Sequence, residues 1–304
     1  MSPALSLSAA EREAVQAALL SWYEADHREF PWREREDPYA ILVSEVMSQQ
    51  TQLDRIVDPW AAFLDRWPTV EALADADRAD VVAFWSDHRL GYNNRARYLQ
   101  EAAEQICSEF DGAFPEDPDA LESLMGVGPY TATAVASFAF DTGGAVVDTN
   151  VKRVLHRAFG VPDDEAAFET AAAELLPADS AGQWNNAIME LGGVACEKTP
   201  RCDEAGCPWR EWCQAYQTGD FTAPDVPTQP SFEGSRRQFR GRIIRLLGEH
   251  DQMDLDTLGH RIRVDYTPDG EHGRAWLRGL LDDLATDGLV SIDTDGQPTV
   301  QLRR

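Results

Sequence analysis

Lysine is almost absent from this 304-residue chain, Lys152 and Lys198 being the only two. Cations of any kind are scarce, with 27 Lys+Arg facing 53 Asp+Glu for a formal net charge of −26. An acidic shell in which arginine nearly replaces lysine keeps a protein soluble in very high salt, at the cost of self-repulsion in dilute buffer. A low-salt protein that avoids nucleic acid would show the same balance. Long apolar runs are missing too, and no segment approaches the ~18 uncharged apolar residues of a membrane helix. Residues 1–16 carry Glu11, Arg12 and Glu13 and have neither the basic start nor the apolar stretch of a secretory signal, which points to the cytoplasm. Cysteine is limited to five residues, of which Cys107 stands alone. Cys196, Cys202, Cys207 and Cys213 crowd into one short segment, and in a reducing compartment that points to metal rather than disulfides. No histidine lies among them, so four thiolates are the natural ligand set, and zinc or a four-iron four-sulfur cluster fits it equally.

What is present is apolar periodicity. With 43% hydrophobic residues the chain can bury a full core in two or three compact units. From Ser8 to about Gly219, apolar residues recur at three- and four-residue spacing and no alternating strand pattern intervenes, so this region is helical. Residues 222–231 hold Pro224, Pro227 and Pro230 and read as a linker. Beyond it, three helical patterns precede a hairpin over Val290–Leu302 that turns at Asp295–Gly296, and this order predicts a small α+β winged helix over 232–304. That segment holds 11 of the basic residues and 13 of the acidic ones, a net of −2, leaving 16 against 40, or −24, for residues 1–231. Arg236, Arg237, Arg240, Arg242 and Arg245 make its start the most basic stretch of the chain, which fits either nucleic-acid contact or a partner domain.

Three constellations could carry chemistry. Gly126-Val127-Gly128 lies between two helical patterns, where a tight turn can aim backbone N–H groups at a phosphate without any lysine. Asp148 opens another helical pattern. It reads first as an N-cap, and the helix N-terminus also favours negative charge of the kind that stabilises a developing cation. Glu45 sits in an apolar helix start, three and four residues from Leu42 and Ile41. Burial there favours the protonated carboxyl and suits it to donate a proton, whereas the plainer reading leaves its head in water. Together the two carboxyls occupy contrasting surroundings, as acid and stabiliser do in bond-hydrolysing pairs.

In order, these elements resemble the helix-hairpin-helix DNA glycosylases that carry an iron–sulfur cluster, most closely the MutY-type adenine glycosylases. The matches are Pro31-Trp32-Arg33, Ser44-Glu45-Val46-Met47 with Gln49-Gln50-Thr51, Leu90-Gly91-Tyr92, Gly126-Val127-Gly128, Asp148 through Val154, and the four cysteines. The resemblance implies an all-α, two-lobed glycosylase region over 8–221. Its six-helix lobe would span about 34–145, and its cluster lobe the N-terminal helix plus about 146–221. Glu45 matches the general acid that protonates adenine N7 and helps place the attacking water. Asp148 matches the carboxylate that stabilises the oxocarbenium ion, with Asn150 as its polar helper. Tyr130 stands where bifunctional relatives carry a Schiff-base lysine, which implies hydrolysis without strand cleavage. Gln50 and Tyr92 match residues that wedge into the stack as the base flips out, with Gln49 and Thr51 beside them on DNA. Arg28, Trp32 and Asn186 match pocket positions, Asn186 replacing the family's longer Gln or Glu. Cys196, Cys202, Cys207 and Cys213 match the ligands of one four-iron four-sulfur cluster, although their spacing departs from the usual one around Asp203–Gly206.

The implied activity is removal of adenine opposite guanine or 8-oxoguanine from double-stranded DNA, by a monomer in base excision repair. Residues 232–304 are too short and too helical for the Nudix-like domain that recognises 8-oxoguanine in the family. Two other readings remain: a thymine or damaged-pyrimidine glycosylase on the same scaffold, and a non-catalytic, redox-sensing DNA-binding protein. The Ser44–Thr51 segment disfavours the first, and the joint presence of Glu45, Asp148 and Tyr130 the second.

Overall fold

The structure, a computed structural model, describes residues 5–225, 231–294 and 297–304. The central proline linker and the expected Asp295–Gly296 turn fall largely or wholly outside these residues. Fifteen α-helices and one small three-stranded sheet make up the described residues, in agreement with the helical periodicity. No helix among them is long and apolar enough to cross a membrane.

The chain divides into two compact units, each drawn from separate stretches of sequence. The first comprises Met1–Glu45, Phe114–Ser123 and Val127–Pro227. Its Ala9–Ala25 helix starts at a capping box in which Ser8 and Glu11 satisfy each other's backbone N–H groups. Val15, Leu19 and Tyr23 on that helix enter a core with Val151, Leu155, Phe168, Trp184, Ile188 and Trp209. Cys207 and Cys213 lie in the same core, so the thiol segment is part of the packing rather than an appendage. Two indoles pin it: Trp209 Nε1 donates to the Val15 carbonyl at 2.9 Å, and Trp22 Nε1 to that of Ala205 at 3.2 Å. Buried indole N–H groups need such partners.

The second unit comprises Val46–Ala113, Leu124–Gly126 and Thr228–Arg304. Phe63, Trp67, Phe84 and Trp85 form an edge-to-face aromatic cluster between the Val57–Arg66 and Arg78–Asp87 helices. The Arg78–Asp87 helix in turn packs on the Arg236–Glu249 helix, closely enough that a Cβ on Gly248 would meet that of Ala83 at 3.1 Å. The C-terminal segment runs helix, strand β1 (Met253–Asp254), helices Leu255–Ile262 and Arg274–Thr286, then β2 (Val290–Asp293) and β3 (Thr299–Leu302). The strands are antiparallel in the order β1-β3-β2, with Val290 opposite Leu302 and Met253 opposite Val300. β2 and β3 are the expected hairpin arms. β1 is too short for any alternation to announce it.

Candidate active site

Glu45 belongs to the Pro38–Ser48 helix, and the expectation that it sits at the helix start is corrected: it lies in the last turn. The apolar surroundings are as expected, since Ile41, Leu42, Val43, Val46 and Met47 are all buried and Glu45 itself is 8% exposed. Burial, reinforced by the negative charge of Asp148 and opposed by Arg33, pushes the Glu45 carboxyl up from 4.5 to about 7. It is therefore substantially protonated near neutrality.

Asp148 is the N-cap of the Thr149–Phe159 helix. Its Oδ1 accepts the Val151 N–H at 2.7 Å and its Oδ2 accepts the Asn150 side-chain amide at 2.9 Å. Asn150 is itself fixed, because Arg153 donates to its Oδ1 at 2.8 Å while also donating to the carbonyls of Gly192 and Cys196. The capping role and the hydrogen bond from Asn150, the expected polar helper, thus coincide in one side chain. Tyr130, in the first turn of the Pro129–Phe140 helix, is partly buried, and its phenol is raised by burial and by the charges of Glu45 and Asp148. The three side chains sense one another electrostatically, and the third is a phenol that stays protonated.

Beside them lies a group that the sequence did not single out. Glu190, 1% exposed on the Ala181–Val194 helix, accepts two hydrogen bonds from the Arg28 guanidinium at 2.8 and 3.0 Å, another from its backbone N–H, and one from Arg33 at 2.9 Å. Burial alone would raise this carboxyl, but the two guanidiniums outweigh it and hold it below the usual range. Arg28 is thereby rigid yet still partly exposed, and Arg33 serves Glu190 while restraining Glu45. Trp32 is buried in the 3-10 turn Pro31–Glu34, stacked on Phe30 at 5.0 Å. Asn186 is partly buried on the Glu190 helix. An isolated carboxylate in an apolar helix was the signal at Glu45, and the same signal was present at Glu190.

The four thiols occupy the same unit. Cys202, Cys207 and Cys213 are raised by burial and also by the charge of neighbouring cysteines, Cys207 to about 12. Cys207 is approached by the backbone N–H of Trp209, and Cys213 by those of Tyr216 and Ala215. Arg157 Nη1 lies 3.7 Å from Cys196 Sγ. No three His, Cys, Asp or Glu side chains among the described residues converge as a site for one metal ion.

The second unit holds the predicted wedge residues. Gln50 and Tyr92 both take left-handed backbone conformations, at φ 56° and 46°, which are uncommon and costly for such side chains. Arg95 donates to the Gln49 carbonyl and lies over the Tyr92 ring at 4.6 Å, while Thr51 closes the turn by bonding Ser48. Arg97, by contrast, is tied to Glu101. In the hairpin, Gly126 has φ 75° and a Cβ there would meet that of Tyr98 at 2.6 Å, so only glycine fits. Val127 is buried, and Gly128 is the exposed N-cap of the Pro129–Phe140 helix.

A helical fold with a glycine hairpin and a buried carboxyl answering a helix-capping one defines a base-excision class of DNA repair protein. The family model described as "HhH-GPD superfamily base excision DNA repair protein" matches residues 43–178. The chain is 38% identical to the adenine DNA glycosylase of Mycolicibacterium smegmatis over 292 residues, covering 92% of this chain and 93% of that protein. It is 37% identical to that of Mycobacterium tuberculosis over 94% of this chain and 93% of the relative. The human adenine DNA glycosylase is 38% identical over 68% of this chain and 40% of its own length. Among solved structures, a thermostable thymine-DNA glycosylase superposes with a TM-score of 0.63 at 27% identity, covering 68% of this chain and 97% of that one. Endonuclease III in a trapped DNA complex shares the fold, with a TM-score of 0.60. The chain belongs to the adenine DNA glycosylase family within the helix-hairpin-helix superfamily.

Proposed function

We propose that this chain hydrolyses the N-glycosidic bond of adenine mispaired with guanine or 8-oxoguanine, without cutting the strand. The observation that carries the reading is the contrast between its two carboxyls: Glu45 buried and raised to about 7, Asp148 capped by donors on both oxygens. Glu45 gives its proton to the flipped adenine at N7, and the bond between C1′ and N9 breaks with its electron pair going to the base. The Asp148 carboxylate faces the oxocarbenium ion that remains, and Asn150 keeps it aimed. Water then adds at C1′, and its proton returns to the Glu45 carboxylate. Tyr130 offers no amine for a Schiff base. Lys152, the nearby amine, is bound to Glu165 at 2.5 Å. Arg28, Trp32 and Asn186 line the base pocket, with Glu190 holding Arg28.

The thiols suit a four-iron four-sulfur cluster. Cys202, Cys207 and Cys213 each lie close enough to feel the charge of a neighbouring thiol, and the N–H groups near Cys207 and Cys213 and Arg157 beside Cys196 are donors suited to thiolate ligands of such a cluster. Bound there, the cluster would supply single-electron chemistry and a cross-link of the Cys196–Cys213 segment, while base hydrolysis proceeds on side chains alone. The order helix, β1, helix, helix, β2, β3 in the C-terminal segment is that of a winged helix. The whole is read as a monomer of the cytoplasm, adapted to high salt.

A panel of duplexes pairing adenine, thymine or oxidised pyrimidines with each opposing base tests the reading through the base released. Adenine release opposite guanine or 8-oxoguanine is expected. Thymine release without adenine release would overturn the assignment, and DNA binding with no base release would leave a non-catalytic binder.

A further inference from the structure

A groove of about 920 Å³ runs along the second unit between the Arg236–Glu249 helix and the chain around Gln50 and Arg89–Asn94. Its charge is opposite to that of the molecule. Seven arginines line it against two aspartates, Asp283 and Asp287, in a chain with twice as many acidic as basic residues. Arg236 and Arg240 are held by Asp283 and Asp287. Arg55, Arg89 and Arg245, however, form no ion pair among the described residues.

Two further features set this groove apart. Of the five non-glycine residues with left-handed backbone among the described residues, Gln50, Arg89 and Tyr92 are three, and all three line it. Strain of this kind persists where the surrounding structure enforces it and collects at functional surfaces. In addition, Arg237 donates to the Tyr92 hydroxyl and lies 5.3 Å from both the Tyr92 and the Phe232 rings, so a side chain of the C-terminal segment is ordered against the wedge residue by cation–π contact. Phe232 is 55% exposed.

We propose that this groove carries the phosphodiester backbone of bound DNA, with Arg55, Arg89 and Arg245 as its phosphate contacts and the Arg236–Glu249 helix as its C-terminal wall. The inference rests on the reading that the chain acts on DNA, and it assigns the C-terminal segment a direct part in holding it. Paired arginines shape the wall, whereas unpaired ones keep their charge for phosphate.

The test uses the full chain with Arg55→Ala, Arg89→Gly and Arg245→Ala, singly and combined. Arg278→Ala, an exposed arginine of the same segment that does not line the groove, serves as the control. Glycine at position 89 tolerates φ 56°, so that variant cannot act through backbone strain. Binding is read by fluorescence anisotropy on two duplexes, one undamaged and one with adenine opposite 8-oxoguanine, across 0.1 to 2 M KCl, with melting temperature as the folding check. Each phosphate contact contributes a slope of about −0.9 in log affinity against log salt, which is about fourfold per arginine at 0.2 M and roughly 80-fold for all three. The slope is expected to fall by about 1 per arginine removed, and the variant and parent curves to meet near molar salt. Affinities within twofold of the parent, or an equal loss in Arg278→Ala, would overturn the groove. Base release by the parent is scored separately: its absence defeats the adenine reading while the binding curves still judge the groove.

Discussion

The raised Glu45 carboxyl makes a prediction about both stability and rate. In the unfolded chain it titrates near 4.5, and in the folded chain near 7. Because the folded value is the higher one, the folded state binds the extra proton between those limits. Stability is unaffected by this group below about pH 4.5 and declines as pH rises through the window, with the full cost present above 7. A shift of this size corresponds to about 3 kcal/mol, of which under about 1 is already felt at pH 5 and nearly all at pH 8. Glu45→Gln removes the titration. The stability difference between variant and parent should therefore move by roughly 2–3 kcal/mol in the variant's favour from pH 5 to pH 8, whatever the constant cost of the amide itself. Urea unfolding in molar KCl, where the repulsion of a −26 chain is screened, measures it. The same parent should show single-turnover base release falling about tenfold per pH unit above 7, as the acid loses its proton. A difference that stays flat from pH 5 to 8, with a rate that climbs through 7, would refute the assignment of Glu45 as a buried acid.

Asp148→Asn should lower base release by on the order of 10²- to 10³-fold while duplex affinity and melting temperature stay near the parent's, because asparagine still caps the helix; gel-shift and single-turnover assays compare the two. Protein purified without oxygen should be brown with thiolate-to-iron absorption, and Cys207→Ser should bleach it and lower the melting temperature; a colourless, zinc-containing protein would refute the cluster. Gly126→Ala must hold φ 75° and displace Tyr98, costing on the order of 1–3 kcal/mol and weakening duplex binding; an unchanged melting temperature would show that the hairpin relaxes freely.

Much of this was legible in order along the chain. Asp148 read as a helix N-cap because that role is local, set by a side chain and the N–H three residues on. Apolar neighbours on its own helix suggested burial of Glu45, but the plainer reading of a solvated head stood beside it until the resemblance paired it with Asp148. Glu190 escaped because its meaning lies in Arg28 and Arg33, 162 and 157 residues away, and periodicity carries no information about such pairings. Which segments gather in space is beyond periodicity for a similar reason. The second unit gathers residues 46–113, 124–126 and the C-terminal segment, and the apolar stripe of each helix says that it is covered without saying by what. Position within a helix was also blurred, which is why Glu45 emerged in the last turn.

The acidity of the chain and its work on DNA looked opposed when charge was summed by segment. Summed by position in space they are not. Five of the C-terminal segment's eleven arginines line one groove, while its carboxylates lie elsewhere or brace that groove's wall. A surface of this kind attracts phosphate only over a Debye length of a few ångströms in concentrated salt, so it steers little from afar and acts on DNA already in contact. On the proposed reading, the hold that is left depends less on salt: backbone N–H groups at the Gly126–Gly128 hairpin, and the strained Gln50 and Tyr92 that line the groove. In dilute buffer the arginines should dominate affinity and blur selectivity, since phosphate contacts are indifferent to sequence. Near molar salt they fade, and discrimination passes to whatever the wedge and the Glu45 pocket accept.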